Sequence, residues 1–254
     1  MKFSFKALAL FFVALCVALI ATVPARWALQ FTKLPPGLVV SGVAGTVWAG
    51  TASAVRWRNL PEIALDWRIA PSRLLLGRLQ ADVRASNPGL QLAGTVTAFR
   101  DLSLRATDLT LDGDVQALPL PADAALVTPE GRLQARFDTL HWQGQRIEAL
   151  AGIVHWRPAR IAAPVRYELG ELELKLNGNA GTINGQLAGR NGPIIPAGTL
   201  KLDPQGVLQT DIRLSPTAET PKDLRELLPM LGRQNADGSV TLKQTLPLVG
   251  IGVF

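Results

Sequence analysis

Cysteine occurs once in the 254 residues, tyrosine once and histidine twice, beside six tryptophans. The lone Cys16 cannot form an intrachain disulfide, so the fold has no covalent staple whatever the redox poise of its compartment. His141 and His155 lie far apart in sequence, and neither has a cysteine or a second histidine at zinc-ligand spacing. No metal site and no cofactor are expected. Catalytic signatures are scarce as well. The chain has no Gly-x-Ser-x-Gly elbow and no Gly-x-x-x-x-Gly-Lys-Ser/Thr loop. Carboxylate pairs such as Glu171 and Glu173 recur only as alternate residues of a polar strand face, which reads as solvated charge, so the chain is not expected to be an enzyme.

Charge of one sign is not concentrated either. The formal net charge is +6. The basic residues Arg56, Arg58, Arg68, Arg73, Arg78 and Arg84 are scattered, with no ribonucleoprotein-type aromatic motif among them, which argues against a nucleic-acid partner.

The chain does have a long uncharged run near its start. Lys2 and Lys6 precede residues 7–25, which carry no charge and whose apolar body includes Ala7, Leu10, Phe11, Phe12, Leu15, Leu19 and Val23. At about 1.5 Å per helical residue this run reaches roughly 28 Å, enough for one bilayer crossing. It is longer than the roughly 7 to 15 apolar residues of a signal peptide, so a retained anchor is expected. The alternative is cleavage after the Val23-Pro24-Ala25 tripeptide. Leu15 before Cys16 does not fit a lipoprotein signal, where a small residue is required. The positive-inside bias puts residues 1–6 in the cytoplasm and the remainder outside it, although Arg26 and Lys33 weaken the asymmetry. Juxtamembrane basic residues also favour contact with anionic headgroups.

Residues 26–37 read as a linker, with Pro35-Pro36 stopping any helix. Beyond it the dominant period is two. Leu172, Leu174 and Leu176 alternate with Glu171, Glu173 and Lys175, and the same grammar recurs in 132–137 and 208–214. In 102–111 the phase slips, which predicts a bulge near Asp108. Turn signals at 87–89, 112–113, 129–131, 177–178, 184–185, 203–206 and 237–238 mark a hairpin-linked antiparallel chain. Gly-polar-apolar strand entries recur, for example at Gly77-Arg78-Leu79 and Gly131-Arg132-Leu133, as convergent strand grammar or a weak duplication. One helix is expected late: Thr220 as N-cap, Pro221 at the first helical position, and a Leu224, Leu227, Leu228, Leu231 stripe ending at Gly232. A second candidate is a single turn at 71–76.

The glycine-rich stretch 42–57 (GVAGTVWAGTASAVRW) is not a phosphate loop. It keeps alternating after Gly50, so it reads as a strand with glycine punctuation. Trp48, Trp57 and Trp67 recur at strand-plus-turn spacing, as packing residues on one sheet face or as the lining of an apolar groove.

These features resemble general secretion pathway protein N, a family of the bacterial type II secretion system. The likeness rests on the anchor, on the 43–50 stretch with Gly45, Thr46, Trp48 and Gly50, and on the 65–71 stretch with Trp67 leading to Gly77. The C-terminal leucine helix followed by 238–242 adds to it. The resemblance implies a single-pass inner-membrane protein with a periplasmic domain, assisting export of folded proteins by contacts with other secretion components. It implies no active site, and the motif residues are structural. The alternative is an AsmA-like envelope protein whose apolar β-groove handles lipid.

The expected architecture is an all-β, highly twisted antiparallel meander of about a dozen strands, as a sandwich or an open half-barrel, with one short C-terminal helix and a transmembrane helix before it. The expected segments are a cytoplasmic tip 1–6, an anchor 7–25, a linker 26–37 and a periplasmic domain 38–254. Two halves meeting near 118–130 remain open.

Overall fold

The computed structural model describes residues 22–31, 36–58, 61–74, 76–118, 128–144, 146–163 and 166–247. The expected anchor residues Ala7, Leu10, Phe11, Phe12, Leu15 and Leu19, and most of the expected 118–130 boundary, lie outside the described residues. No helix among the described residues is long and apolar enough to cross a membrane. Fourteen strands are described, and the chain divides into two compact units, Met1–Asn87 and Pro88–Phe254.

The first element among the described residues of the first unit is a helix, α1 (Ala25–Phe31), which begins at the last residue of the expected anchor and continues into the stretch read as a linker. Four strands follow: β1 (Leu38–Gly45), β2 (Ala49–Trp57), β3 (Ile63–Ile69) and β4 (Leu79–Asn87). Each pairs antiparallel with the next, in registers such as Val40 opposite Val55, Thr51 opposite Asp66 and Trp67 opposite Val83. One helical turn, α2 (Pro71–Leu74), lies within the 71–76 stretch that suggested it.

The second unit holds β5 (Leu90–Ala98), β6 (Leu104–Asp114), β7 (Thr128–Gln143), β8 (Arg146–Ala163) and β9 (Tyr167–Asn179). It continues with β10 (Thr182–Arg190), β11 (Ile194–Leu202), β12 (Val207–Pro216), helix α3 (Lys222–Leu231), β13 (Arg233–Gln234) and β14 (Val240–Pro247). The spatial order follows the chain from β5 to β12 and then runs β14, β13. Within each unit the strands form one layer, which corrects the sandwich alternative. Each strand from β5 to β12 pairs with its chain neighbour, so the ladder runs on without a crossover to a separate sheet.

Local chemistry explains where strands bend and turn. In β6, Asp108 has φ 51°, and between Ala93/Thr110 and Thr95/Thr107 two residues of β6 oppose one of β5. That bulge is the cause of the phase slip in 102–111. Four turn signals are corrected. Asn177-Gly178 and Asn184-Gly185 lie inside β9 and β10, with Asn177 opposite Asn184; Asp112-Gly113 lies in β6, and 129–131 in β7. The β9–β10 reversal instead uses Ala180 and Gly181, both at positive φ (51° and 77°), the conformation that tight hairpins with right-handed twist require. Gly185 serves packing: a side chain there would press on Leu174, Leu176 and Leu200.

Burial is thin. Among the described residues eleven hydrophobic side chains are buried, and the one cluster they form is Ile194, Leu224, Leu228 and Val240, with Tyr167 and Leu214 against it. Helix α3 thus lies on one end of the sheet through an i, i+4 pair. Leu227 and Leu231 of the expected stripe are 42% and 53% exposed, so the buried face is narrower than the stripe suggested. The cap is corrected too. Pro221 precedes the helix with no side-chain cap, while the Thr220 hydroxyl donates to the Pro193 carbonyl at 2.5 Å and accepts from the Thr217 amide at 2.8 Å. Thr220 fastens the approach to α3 onto the β10–β11 turn.

Leu228→Ala is expected to destabilise the protein by about 2–4 kcal/mol, as cavity-forming leucine truncations do, and Leu227→Ala by under about 1 kcal/mol. Urea denaturation of the two variants checks this.

Candidate functional site

Five of the six family-motif residues, all but Gly77, meet at one end of the first unit. Gly45, at φ +86°, pairs with Gly50, and Gly50 pairs with Trp67. The Trp67 indole N–H donates to the Val47 carbonyl at 3.1 Å, so its ring lies along the hairpin tip. A β-carbon on Gly50 would come within 2.5 Å of Trp67 Cζ2 and 2.6 Å of the Ala44 carbonyl oxygen, so close approach excludes any side chain there. The Thr46 hydroxyl accepts from the Ala49 amide at 3.1 Å and closes the turn. Trp48 joins through its carbonyl, which accepts from the Ile69 amide at 2.6 Å. The incoming chain is pinned to the same tip: the Val47 amide donates to the Val23 carbonyl at 3.0 Å, and Pro24 bridges Thr46. Gly77 is not part of this cluster. At φ +69° it turns the chain after α2, donating to the Leu74 carbonyl at 2.9 Å.

Other tryptophans act in the same way within the second unit. The Trp156 indole donates to the Glu130 carbonyl at 3.0 Å, and the Trp142 indole to the Gly144 carbonyl at 2.6 Å. Trp57 is 42% exposed, with the Arg58 guanidinium 5.8 Å from its ring centre, a cation–π contact at the surface.

The registers of the second unit sort its side chains into transverse rows. One apolar row runs Leu92, Leu111, Ala135, Val154, Leu174, Leu187, Gly198, Ile212, Leu242 across nine strands. A second runs Leu109, Phe137, Gly152, Leu176, Gly185, Leu200. In these two rows only Ala135 and Gly185 are buried; the rest are half-buried, because no second sheet lies on them among the described residues.

The opposite face carries a connected polar row: Asp112 of β6, Gln134 of β7, His155 of β8 and Glu173 of β9 stand opposite one another in turn. Arg132 Nε donates to Asp112 Oδ1 at 2.5 Å, Gln134 to Asp112 Oδ2 at 3.1 Å, and Arg157 to Gln134 Oε1 at 3.1 Å. Glu173 has Lys175 Nζ at 3.1 Å, His155 Nδ1 at 3.7 Å and Arg190 at 3.7 Å. Hydrogen bonds from Arg132 and then Gln134 hold the Asp112 carboxyl below its usual range, and Lys175, followed by Arg190 and His155, does the same for Glu173. Carboxylates held in this way are kept ionised and are poor general bases. Sequence reading missed the row: i, i+2 alternation shows which residues share a face, but only register shows which stand opposite each other.

No group of three or more His, Cys, Asp or Glu side chains among the described residues could hold a metal ion. The described units are all-β, and the charged side chains of this row tie neighbouring strands together.

The family model for type II secretion system protein N matches residues 36–243. The chain is 26% identical to the type II secretion system protein N of Vibrio cholerae over 242 residues, 92% of this chain and 95% of that one. It is 29% identical to the Aeromonas hydrophila protein of the same name over 244 residues, with the same shares covered. It is also 26% identical to the Pectobacterium carotovorum one, over 86% of this chain and 87% of that one. No solved structure matches significantly. The chain belongs to the type II secretion system protein N family, and is a component of that secretion system.

Two outcomes are expected. Gly50→Val is expected to cost more than about 2 kcal/mol, and Trp67→Phe, which leaves the Val47 carbonyl without its donor, about 1 kcal/mol, both read by thermal or urea unfolding. Because Asp112 and Glu173 have folded pKa values below their unfolded ones, the stability they add is present above the unfolded carboxylate range and is lost as pH falls through the folded values. Melting temperature is expected to drop below about pH 4, and less steeply in Asp112→Asn or Glu173→Gln.

Proposed function

We propose that this protein is an accessory component of the type II secretion system, anchored in the inner membrane by residues 7–25, with its β units in the periplasm. In this reading it assists export of folded proteins across the outer membrane through contacts with other components. The observation that supports it most directly is the single-layer sheet of the second unit. Two rows of half-buried apolar side chains lie on one face, and a two-residue strand, β13, ends the order. Unsatisfied sheet edges and partly exposed apolar strips are the surfaces by which one protein adds to another. The connected polar row on the other face joins its carboxylates to cationic and amide partners on the same and neighbouring strands.

The same half-buried rows favour a second reading, in which the apolar face is a trough for acyl chains, as in AsmA-like envelope proteins. Deleting the gene separates the two. The secretion reading expects an exported enzyme to accumulate in the periplasm while the outer membrane still excludes a bulky hydrophobic dye. Normal export with a leaky outer membrane would reject it in favour of lipid handling. Site-specific crosslinks from periplasmic strands to secretion components are expected; crosslinks confined to the anchor would overturn the scaffold role.

A further inference from the structure

The free end of the sheet in the second unit carries a cleft on the polar face. It is formed by β11, β12, β14 and β13 and lined by Thr199, Arg213, Thr241, Lys243, Arg233 and Asn235, among others. Arg213 stands opposite Thr241, and Thr241 opposite Arg233, so two guanidinium groups flank one hydroxyl in a single transverse row. With strands about 4.8 Å apart, the two arginine backbones are about 10 Å apart, a spacing that long side chains close around one carboxylate.

The charges in and around the cleft do not cancel. Lys243 Nζ is paired with Asp211 at 2.9 Å. Asp237, the nearby carboxylate that feels Arg213, is occupied by the Ser239 amide at 3.0 Å and the Ser239 hydroxyl at 2.6 Å. Arg213 and Arg233 form no ion pair among the described residues, and both are exposed. Thr241 accepts from Asn235 Nδ2 at 2.9 Å, and no described residue takes the proton of its own hydroxyl. The cleft of the first unit differs: there Asp66 faces Arg84 and Arg68 faces Asp82, so the charges balance.

Beside the cleft the sheet is open. β13 pairs with β14 only at Val240 and Thr241, and no strand pairs with the outer side of β14 beyond Thr241 among the described residues. We propose that this corner is the docking site for an extended acidic segment of a protein partner, with a carboxylate held between Arg213 and Arg233 over Thr241 and main chain added along the β13–β14 edge. Charge-assisted hydrogen bonds supply selectivity for acid, and main-chain pairing supplies the extended conformation. A phospholipid headgroup suits the corner less well, because its acyl chains would lie on the polar face, away from the apolar rows.

This site rests on the reading of the protein as a contact-making secretion component. The test uses the full-length protein in detergent, titrated by fluorescence anisotropy with a labelled peptide of alternating glutamate and valine and with a matched lysine–valine peptide. The glutamate peptide is expected to bind at least about tenfold more tightly, and the double variant Arg213→Glu, Arg233→Glu to lose about tenfold or more in affinity with an unchanged circular dichroism spectrum. Binding is expected to weaken as salt rises. If the double variant does not fold, Arg233→Gln alone, at the exposed edge, is expected to weaken binding several-fold. Equal affinity for both peptides, or unchanged affinity in the variants, overturns the site. Arginine-dependent binding of phosphatidylglycerol vesicles without peptide binding overturns it in favour of a headgroup. Binding of inorganic phosphate without preference between the peptides overturns it in favour of a simple anion site. Failure of the peptide titration with defective export in the deletion strain rejects only this corner; normal export in that strain rejects the broader reading and leaves the titration standing.

Discussion

Within each unit, the structure depends on the transfer of main-chain hydrogen bonding from one strand to the strand beside it. A single layer cannot bury a conventional core, and few side chains here are buried. The ladders, the hairpin ends and the cross-strand side-chain pairs therefore carry the order that a second sheet would otherwise impose. This is why the tryptophans matter more through their N–H groups than through their area. The Trp67, Trp156 and Trp142 indoles each reach a main-chain carbonyl, two of them near a hairpin tip or strand end of a neighbouring strand. Glycines then permit close passage where a ring crosses the neighbouring backbone, as at Gly50, and at Gly152 under the Phe137 ring.

The two faces of the second unit follow from the same period. Once register places Leu111 opposite Ala135 and then Val154 and Leu174, the residues between them must form the matching polar row. Asp112 and Glu173 are consequently part of the wiring between strands. Their depressed pKa values come from satisfied partners on the same and neighbouring strands.

Much of the fold was legible in residue order. The alternation at 171–176 marks β9, and the phase slip in 102–111 leads to the Asp108 bulge because an extra residue reverses side-chain parity. Other signals misled for physical reasons. Asn-Gly dipeptides at 177–178 and 184–185 have turn chemistry, yet the hairpin places its reversal at Ala180-Gly181 and uses Gly178 and Gly185 for packing. Thr220 has N-cap chemistry, but its hydroxyl goes to Pro193, a partner 27 positions away that no local pattern reveals. Gly45, Gly50 and Trp67 could be named as strand residues; that they gather with Val23 and Pro24 at one hairpin tip depends on register and on a long-range bridge. The Arg213, Thr241, Arg233 row was hidden for the same reason, since β14 inserts between β12 and β13 against chain order.

That chain-ordered pairing also has a kinetic side. From β5 to β12 every strand pairs with the strand made just before it, so assembly needs no distant segment to return. A chain delivered from one end can add strands as they emerge, holding little unpaired edge at any moment. Among the described strands only β14 breaks the rule: it pairs beside β12 after α3 and β13 have been made, so one strand enters out of chain order in what is otherwise a zipper.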